Sequence, residues 1–348
     1  MLFLGLDIGG VNTKAVALNV DTPETVKNRE FLSVYFPIWE HSLAELPQLL
    51  KRVRNDLCGD RSPSALGVTM TAELSDAYQT KREGVNHVLD SVEEAFPETK
   101  VWVVDVDGDL VTVSEARKRP LRVAAANWAA TAWMIGRHVK DCFLIDVGST
   151  TTDIIPLVNG RPKTLGKTDT ERLISGELVY TGALRTPVPA ITSRIPVWGK
   201  DCRVSSEKFA LSADVHIILG NITEEEYTCE TADGRGKTVD YSLARLARVV
   251  CADTEMLRRE EIIKIAHHIY RCQLAQITEA LVQVKGRHNA IRKVIVTGIG
   301  RDFLARKAAL EAGFREIIDL GEIAGERGAE MSPAFAMALM VASLKQEA

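Results

Sequence analysis

The sequence predicts an α/β protein with two lobes, and three observations lead to this prediction. The chain has 348 residues, which exceeds the roughly 250–300 residues at which a single hydrophobic core stops growing. Apolar runs of strand length alternate with longer segments that have helical periodicity. A unit of strand, Asp-Gly turn and strand occurs twice, as LDIGGVNTK near the N-terminus and as IDVGSTTTDI in the middle of the chain.

Composition and charge exclude several classes of protein. Hydrophobic residues make up 46% of the chain and charged residues 26%, as in an ordinary globular protein. The net charge of -4 and the pI near 6.0 give no reason to expect a nucleic-acid partner. The longest apolar stretch, Val123–Gly136, is too short for a membrane helix, and no basic segment precedes the apolar N-terminus. The scattered cysteines form no CxxC pair, so we expect free thiols, no membrane association and a cytoplasmic location.

In the first half of the chain, LFLGLDI and TKAVALNV are two strands that the turn GGVN joins into a hairpin. LAELPQLLKRVRNDL has helical spacing, ALGVTMT is a buried strand, and residues 83–96 form an amphipathic helix that Pro97 ends. KVWVVDVDGDLVTV follows as a strand, a turn at Asp107-Gly108 and a strand. RVAAANWAATAWMIGRHV is a helix rich in small residues.

From Cys142 the pattern starts again, with CFLIDVG and TTTDIIPLVNG as strands. SLARLARVVCAD and the long REEIIKIAHHIYRCQLAQITEALVQVK are helices, and KVIVTGIG is a buried strand. RDFLARKAALEAG is a helix with a glycine stop. The final helix lies in SPAFAMALMVASLKQ, with Ser332 as the N-cap and Pro333 in the first position.

Each Asp-Gly turn has the composition of a phosphate site. Glycine lets a ligand approach the backbone, successive amides form an anion nest, and the Asp suits a magnesium ion. We assign diphosphate binding to Gly9, Gly10, Asn12 and Thr13 in the first turn and to Gly148, Ser149, Thr150 and Thr151 in the second. Asp7 and Asp146 are the predicted metal ligands and catalytic residues. Two such turns would hold a di- or triphosphate from both sides.

A third element, VIVTGIGRDFLARKAAL, is a strand, a glycine-containing loop and a helix. With the two turns, it makes the chain resemble the sugar kinase, Hsp70 and actin superfamily, and the second turn is similar to those of the hydantoinase A/oxoprolinase branch. This resemblance implies a two-lobed, ribonuclease H-like fold with a central cleft and a final helix that returns to the first lobe. We place the first lobe at residues 1–125 plus 331–348 and the second at residues 126–330.

The third loop departs from the superfamily pattern, in which adjacent glycines usually cover the adenosine of ATP. Here Ile299 separates Gly298 from Gly300, and Arg301 follows. Gly298 and Gly300 are still assigned to the phosphate site. The sequence matches the superfamily pattern better at the phosphate site than at the adenosine pocket. This combination favours a diphosphate substrate over ATP. An ATP-dependent kinase or hydantoinase-like amidohydrolase is the alternative, and a non-catalytic regulator with the same fold is a third hypothesis.

Four further blocks narrow the resemblance. They are TDTERLISGELVYTGALRTPVPA (168–190), SADVHIILGNI (212–222), CETADGRGKT (229–238) and RLARVVCADTE (245–255). In their order they are similar to the blocks of the tetrahydromethanopterin-linked C1-transfer proteins, which include the furan-methanamine synthases of methanofuran biosynthesis. The resemblance implies a transferase that joins a furanmethanol diphosphate to the phenol of γ-glutamyltyramine and releases pyrophosphate. Bacterial relatives would make methylofuran from a tyrosine-type phenol.

The implied reaction suggests roles for charged residues, with Mg²⁺ as the expected cofactor. Lys14 suits a diphosphate oxygen, and an ordinary solvated strand lysine fits the pattern equally well. A phenol with a pKa of about 10 calls for a base, for which Glu177, Asp169 and Glu73 are candidates. Arg185 has a planar fork that suits a phosphate or a carboxylate, or else a salt bridge within its loop. The expected partners are a small diphosphate and a phenolic amine, and a homodimer is left open.

Overall fold

The structure is a computed structural model that describes residues 1–22 and 25–344. Its strands are β1 (Leu2–Ile8), β2 (Asn12–Thr22), β3 (Thr25–Tyr35), β4 (Ala65–Met70), β5 (Val101–Val104), β6 (Leu110–Thr112), β7 (Cys142–Val147), β8 (Thr152–Val158), β9 (Arg161–Pro162), β10 (Leu178–Val179), β11 (Arg194–Val197), β12 (Lys200–Arg203), β13 (Lys293–Thr297) and β14 (Glu316–Asp319). Its helices are α1 (Glu45–Cys58), α2 (Lys81–Ala95), α3 (Val113–Lys118), α4 (Asn127–Gly136), α5 (Asp169–Ser175), α6 (Val188–Ile191), α7 (Ser212–Ile218), α8 (Val239–Arg248), α9 (Arg259–Arg287), α10 (Arg306–Glu311), α11 (Leu320–Ala324), α12 (Glu326–Glu330) and α13 (Ser332–Ser343).

The two large sheets share the order of their central strands. The first has the strand order β3-β2-β1-β4-β5-β6, and the second has the order β10-β8-β7-β13-β14, with β9 paired to β8. In the first sheet, β1 pairs in parallel with β4, and β4 with β5. In the second, β7 pairs in parallel with β13, and β13 with β14. Each Asp-Gly turn therefore follows a strand whose carboxyl end lies beside that of a parallel neighbour.

Most of the predicted elements are confirmed. The helix predicted at residues 83–96 is α2, and the long helix predicted from the REEIIKIAHH segment is α9. The turn at Asp107-Gly108 joins the antiparallel strands β5 and β6, and the Asp105 carboxylate accepts the amides of Asp107 (2.9 Å) and Asp109 (3.2 Å). The helix after β13 begins with a π-helical turn, Arg301–Ala305, before α10.

The final helix returns to the first sheet, as the superfamily resemblance implied. A Cβ atom on Gly5 in β1 would lie 2.0 Å from the carbonyl oxygen of Ala334, so only glycine lets α13 pack this closely. The predicted N-cap is wrong, because α13 begins at Ser332 itself and Met331 precedes it as the cap. Ser332 is buried, and its hydroxyl accepts a hydrogen bond from Thr131 at 3.3 Å instead of capping the helix.

The chain divides into two compact units. The first unit comprises Met1–Cys142, Ile155–Arg172 and Leu320–Ala348, and the second comprises Phe143–Ile154 and Leu173–Asp319. Helix α4 belongs to the first unit, where it packs against α13. The lobe limits at residues 125 and 331 stay a prediction. None of the helices in the described ranges is both long and apolar enough to cross a membrane.

Candidate active site

The two Asp-Gly turns have the same hydrogen bond. In the first turn, the amide of Gly9 donates to the carbonyl of Asn12 at 3.0 Å. In the second, the amide of Gly148 donates to the carbonyl of Thr151 at 2.9 Å. The repetition in the sequence is therefore a repetition in the backbone, at the same place in each sheet.

A neighbouring segment binds the carbonyls of the first turn. The carbonyl of Gly10 accepts the amide of Ile38 at 2.9 Å, and that of Val11 accepts the amide of Phe36 at 2.8 Å. The trans peptide unit is planar, so the amide of the next residue points opposite to each of these carbonyls. The amides of Val11 and Asn12 consequently point away from the covering segment.

A neighbouring segment also covers the second turn, but it binds carbonyls one position earlier in the turn than the segment over the first turn does. The carbonyl of Gly148 accepts the amide of Ala183 at 2.9 Å, and that of Ser149 accepts the amide of Leu184 at 3.0 Å. By the same peptide geometry, the amides of Ser149 and Thr150 point away from this segment. Each turn thus presents two successive amides on one side, which is the backbone arrangement of an anion nest.

Asp7 lies at the end of β1, opposite Lys14 on β2 and Thr69 on β4. It is buried, and its Oδ1 atom has no hydrogen-bond partner among the described residues. Burial raises the pKa of Asp7 to about 6, while the positive charge of Lys14 acts in the opposite direction. A buried carboxylate oxygen without a partner fits the ligand chemistry of Mg²⁺, which is bound by one or two carboxylates, water and substrate phosphates.

Thr13 and Lys14 on β2 lie next to Asp7. The hydroxyl of Thr13 is buried and has no hydrogen-bond partner in the described part of the chain. The ammonium of Lys14 donates to the carbonyl of Glu330 at 3.0 Å. Lys14 is therefore held beside the turn and is not a fully solvated strand lysine.

Asp146 lies at the end of β7, in register with Thr297 of β13, and is half-buried. The third loop packs against this end of β7, because the amide of Gly300 donates to the carbonyl of Val147 at 3.0 Å. A Cβ atom on Gly298 would lie 2.5 Å from a carboxylate oxygen of Asp146. In the second unit, the third loop thus packs directly against the strand end that leads into the second turn.

Side chains of the third loop face the same unit. Ile299 packs against a hydrophobic cluster that contains Leu184 and Tyr227. The guanidinium of Arg301 pairs with Asp319, at the end of β14, at 3.1 Å. An apolar side chain and an ion pair occupy this loop where the superfamily pattern has a glycine pair.

Glu177 and Arg185 are both placed in the second unit. Glu177 is fully buried, where it accepts a hydrogen bond from Ser175 at 2.8 Å and pairs with Arg287 at 3.3 Å. The backbone amide of Arg185 donates to the carbonyl of Ser149 at 2.9 Å, so the backbone of Arg185 lies beside the second turn. Burial raises the pKa of Cys229, and the charge of Arg185 opposes this shift.

A buried network supports the segment that covers the second turn. His216 donates from Nε2 to Gln273 at 2.9 Å, and its Nδ1 accepts from the Asn221 amide at 3.1 Å. The Gln273 amide donates to the Thr181 hydroxyl at 2.9 Å and to the carbonyl of Gly182 at 2.8 Å. These donors fix His216 as a neutral imidazole protonated on Nε2. Sequence reasoning missed this network, because it joins residues that are up to 92 positions apart.

Three of the sequence blocks meet in a second buried network. Asp214 accepts from Tyr227 at 3.1 Å, Ser242 at 2.9 Å and Arg245 at 2.8 Å. Arg245 also donates to Asp233 at 3.0 Å. Asp214, Asp233 and Arg245 come from three separate sequence blocks, so this network gives a structural reason why the three blocks occur together in the chain.

Glu73 was only one of three candidate bases, yet its surroundings are the most unusual. It lies in a short turn after β4, is 1% exposed, and neither of its oxygens has a hydrogen-bond partner among the described residues. Burial raises the pKa of Glu73 to about 7, and Lys81 opposes this shift. The feature of the sequence that points to Glu73 is a carboxylate soon after a buried strand.

Within the described ranges, no three His, Cys, Asp or Glu side chains converge on a metal position.

Comparison with known proteins places the chain in a family. The model of the hydantoinase/oxoprolinase family matches residues 65–344. A protein of Methanocaldococcus jannaschii is 41% identical over 342 residues, which cover 98% of both chains. It is named (4-{4-[2-(gamma-L-glutamylamino)ethyl]phenoxymethyl}furan-2-yl)methanamine synthase. The chain belongs to the hydantoinase/oxoprolinase family, in the group of the furan-methanamine synthases. The resemblance inferred from the four sequence blocks is thereby confirmed.

Other comparisons agree with this family assignment. A Methanococcus vannielii protein with the same synthase name is 35% identical over 204 residues, covering 58% of this chain and 91% of that protein. The solved structure of nucleotide-free acetone carboxylase superposes with a TM-score of 0.58 at 10% identity, covering 97% of this chain and 70% of that one. This likeness confirms the predicted actin/Hsp70/sugar-kinase-like fold of the family. The synthase names of the relatives indicate a biosynthetic enzyme.

Proposed function

We propose that this chain is a transferase that joins a furanylmethyl group to a phenol and releases pyrophosphate. The bond between the furan methylene and the diphosphate oxygen breaks, with its electron pair on the leaving group. A lone pair of the phenol oxygen forms the new ether bond, and the phenolic proton ends on pyrophosphate or in the buffer. The names of the relatives support this reaction, because they describe a phenoxymethyl furan, which is an ether of a phenol and a furan methylene.

The observation that carries the proposal is the repeated turn. A departing diphosphate gains negative charge, and preorganised donors stabilise that charge most effectively where water is excluded. Each turn directs two successive amides to one side and has an Asp at the end of the preceding strand. We assign diphosphate binding to both turns and, in the second unit, to the third loop that packs against Asp146.

In its own unit, each of Asp7 and Asp146 would bind Mg²⁺, which when bound neutralises charge on a diphosphate. Lys14 adds a positive charge opposite Asp7. Arg185, which follows Leu184 in the segment that covers the second turn, adds a positive charge in the second unit. For Glu177 we propose a supporting role, because Ser175 and Arg287 engage its two oxygens. A base in that position would first have to break a buried ion pair.

The test is an assay of pyrophosphate release with purified protein, Mg²⁺ and 5-(aminomethyl)-3-furanmethanol diphosphate. γ-Glutamyltyramine, tyramine and tyrosine are compared as acceptors, and the ether product is identified by mass spectrometry. We expect pyrophosphate and ether in equal amounts, with one acceptor clearly preferred. This pattern requires the furanylmethyl group to pass to the phenol and not to water.

Two results would contradict the proposal. One is the absence of pyrophosphate with every acceptor, and the other is release at the same rate without a phenol, since this would be hydrolysis alone. For a variant that loses the carboxylate of a turn, such as Asp7→Asn, the matched control is Asp60→Asn, because Asp60 is exposed in the first unit. The control should turn over at the wild-type rate.

A further inference from the structure

Glu73 is a carboxylate that the proposed reaction does not yet use. Its 3-10 turn, Ala72–Leu74, packs closely on helix α2, where a Cβ atom on Gly84 would lie 2.5 Å from the Cα of Glu73. The side chain is therefore held in place by backbone packing, although its oxygens have no hydrogen-bond partner among the described residues. Burying a carboxylate without a partner is costly, and most buried polar groups in proteins are paired.

The nearest cation does not resolve this situation. Lys81 pairs with Asp169 at 2.6 Å, and both side chains are largely buried. The charge of Lys81 favours ionised Glu73 from a distance, whereas the charge of Asp169 disfavours it. Lys81 is thus bound to Asp169, and its charge reaches Glu73 only from a distance and partly offset by that of Asp169.

Polar groups without partners continue from Glu73 toward the first turn. The hydroxyls of Thr69 and Ser75 are buried and have no hydrogen-bond partner in the described ranges. A Cβ atom on Gly10 would lie 3.9 Å from the Cβ of Ser75, which places Ser75 against the first turn. Glu73 is two residues from Ser75, so their Cα atoms are at most about 7.6 Å apart. The segment that carries Glu73 therefore packs against the first turn through Ser75.

The backbone near Glu73 is also unusual. Ala125 has a φ of 49°, a left-handed conformation that is unfavourable for a residue with a side chain. The preceding residue, Ala124, forms a parallel bridge with Met70 at the end of β4. The backbone amides of Glu73 itself and of Ala125 lie near enough to favour the ionised form of Glu73, although neither makes a hydrogen bond of ordinary geometry to its oxygens. Strain of this kind persists where the surroundings impose it, often at functional sites.

We propose that Glu73 binds the primary ammonium group of the furan substrate, with the hydroxyls of Thr69 and Ser75 accepting its other hydrogens. This inference rests on the proposed function, since the relatives are named as synthases of a furan methanamine. An alkyl amine with a pKa near that of lysine, about 10, is a cation at neutral pH. The ammonium group of the substrate would supply a positive charge beside Glu73. A furan without the aminomethyl group would leave the buried carboxylate unpaired.

The experiment combines a change in the protein with a change in the substrate. Glu73→Gln keeps the shape of the side chain and removes its charge, and Glu98→Gln is the control, because Glu98 is exposed in the same unit. Each protein is assayed with the aminomethyl furan diphosphate and with the same compound lacking the aminomethyl group. We expect Glu73→Gln to raise KM for the aminated substrate at least 100-fold and to leave KM for the other substrate within threefold. Glu73→Asp, which keeps the charge, should restore part of the loss.

Calorimetric binding of furfurylamine supplies a readout that does not depend on turnover. Wild type should bind furfurylamine and not furfuryl alcohol, and Glu73→Gln should bind neither. Equal losses on both substrates, with kcat reduced, would overturn the inference and make Glu73 the base for the phenol. Unchanged kinetics would overturn it as well. If wild type binds furfurylamine through Glu73 but releases no pyrophosphate, the proposed function fails while the ammonium site stands. Circular dichroism and the Tm check that each variant is folded.

Discussion

At the scale of single residues, the first unit is marked by buried polar atoms that lack partners. Folded proteins leave few such atoms, and each one calls for an explanation. Within the described residues, several of them lie at one end of β1, β2 and β4 or in the turn after β4, namely Asp7, Thr13, Thr69, Glu73 and Ser75. A ligand with positive charge or hydrogen-bond donors would satisfy them, which is why we regard this edge as part of a binding site.

Asp7→Asn should separate activity from stability. We expect kcat/KM to fall at least about 100-fold, or about 2.7 kcal/mol of transition-state stabilisation, because the amide keeps the shape but loses the attraction for Mg²⁺. The folded protein should not be weakened. The pKa of Asp7 is raised to about 6 in the folded state, so its contribution to stability is present below pH 3.8 and is lost as the pH rises through 6. Above that pH the neutral amide is at least as stable as the buried carboxylate.

Steady-state kinetics and thermal unfolding at about pH 8 test this prediction together. Asp60→Asn serves again as the control with an exposed carboxylate. Near-normal activity of Asp7→Asn in saturating Mg²⁺ would show that Asp7 does not bind the metal. A large fall in Tm would instead assign Asp7 to the fold.

The sequence predicted the residue types at the site better than their partners. The Asp-Gly pattern predicts that Asp7 ends a buried strand before a glycine turn, and the structure confirms that position, whereas its role stays a prediction. Glu177 and Glu73 looked alike in the sequence, and only the structure separates a carboxylate engaged by Arg287 from one that has no partner in the described ranges. Partners that are 110 positions apart leave no local signal.

At the scale of elements, periodicity was sufficient for the strands and long helices. Both hairpins and α9 were predictable because their patterns of apolar residues are local. The segments that cover the turns were not predictable, since Ala183 and Leu184 reach Gly148 and Ser149 from about 35 positions away. Nor did the sequence indicate that Ser332 would be buried against Thr131, because an N-terminal serine before proline usually marks a cap.

The network around His216 links helix packing to the second turn. A Cβ atom on Gly182, whose carbonyl accepts from Gln273, would lie 2.6 Å from the backbone nitrogen of Thr150. The network therefore sets the position of the segment that lies on the turn. It requires a neutral imidazole, because Nδ1 accepts from the amide of Asn221 and has no room for a proton.

Acid should weaken this part of the second unit. Burial lowers the pKa of His216 to about 4, so the stability it contributes is present above pH 6.5 and is lost as the pH falls toward 4. His216→Asn keeps a hydrogen-bonding side chain but does not titrate. Between about pH 7.5 and pH 5, the wild type should lose about 2 kcal/mol of unfolding free energy relative to the variant.

Urea unfolding at the two pH values gives this difference. His138→Asn is the control, because His138 is exposed in the first unit and the same residue type is removed. The control should follow the wild type at both pH values. A constant difference between wild type and His216→Asn would mean that the imidazole takes up no proton on unfolding and that the network is not the acid-sensitive element.

At the scale of the whole molecule, each of the two large sheets has the same kind of turn at the same place among its central strands. Both have an Asp at a strand end, a four-residue turn closed by a glycine amide, and a covering segment that binds two carbonyls. Family membership alone does not decide between a nucleotide and a diphosphate as the ligand. The departure at Ile299, which packs into a hydrophobic cluster, is the feature that favours the diphosphate.

Thermal unfolding with ligands tests this choice on the intact chain. A ligand that binds only the folded state raises stability by RT ln(1 + [L]/Kd), which is about 2.7 kcal/mol at a concentration of 100 Kd. We expect Mg²⁺ with pyrophosphate to raise the Tm clearly and Mg²⁺ with ATP or ADP to have little effect. Larger shifts with adenine nucleotides would favour the kinase or amidohydrolase hypothesis, since the adenosine must then contribute to binding. Asp7→Asn should weaken the pyrophosphate shift if the first turn binds diphosphate, and Asp146→Asn should weaken it if the second turn does. Loss in one variant alone would assign the diphosphate to the unit that carries that Asp, and the other turn would then need a different ligand.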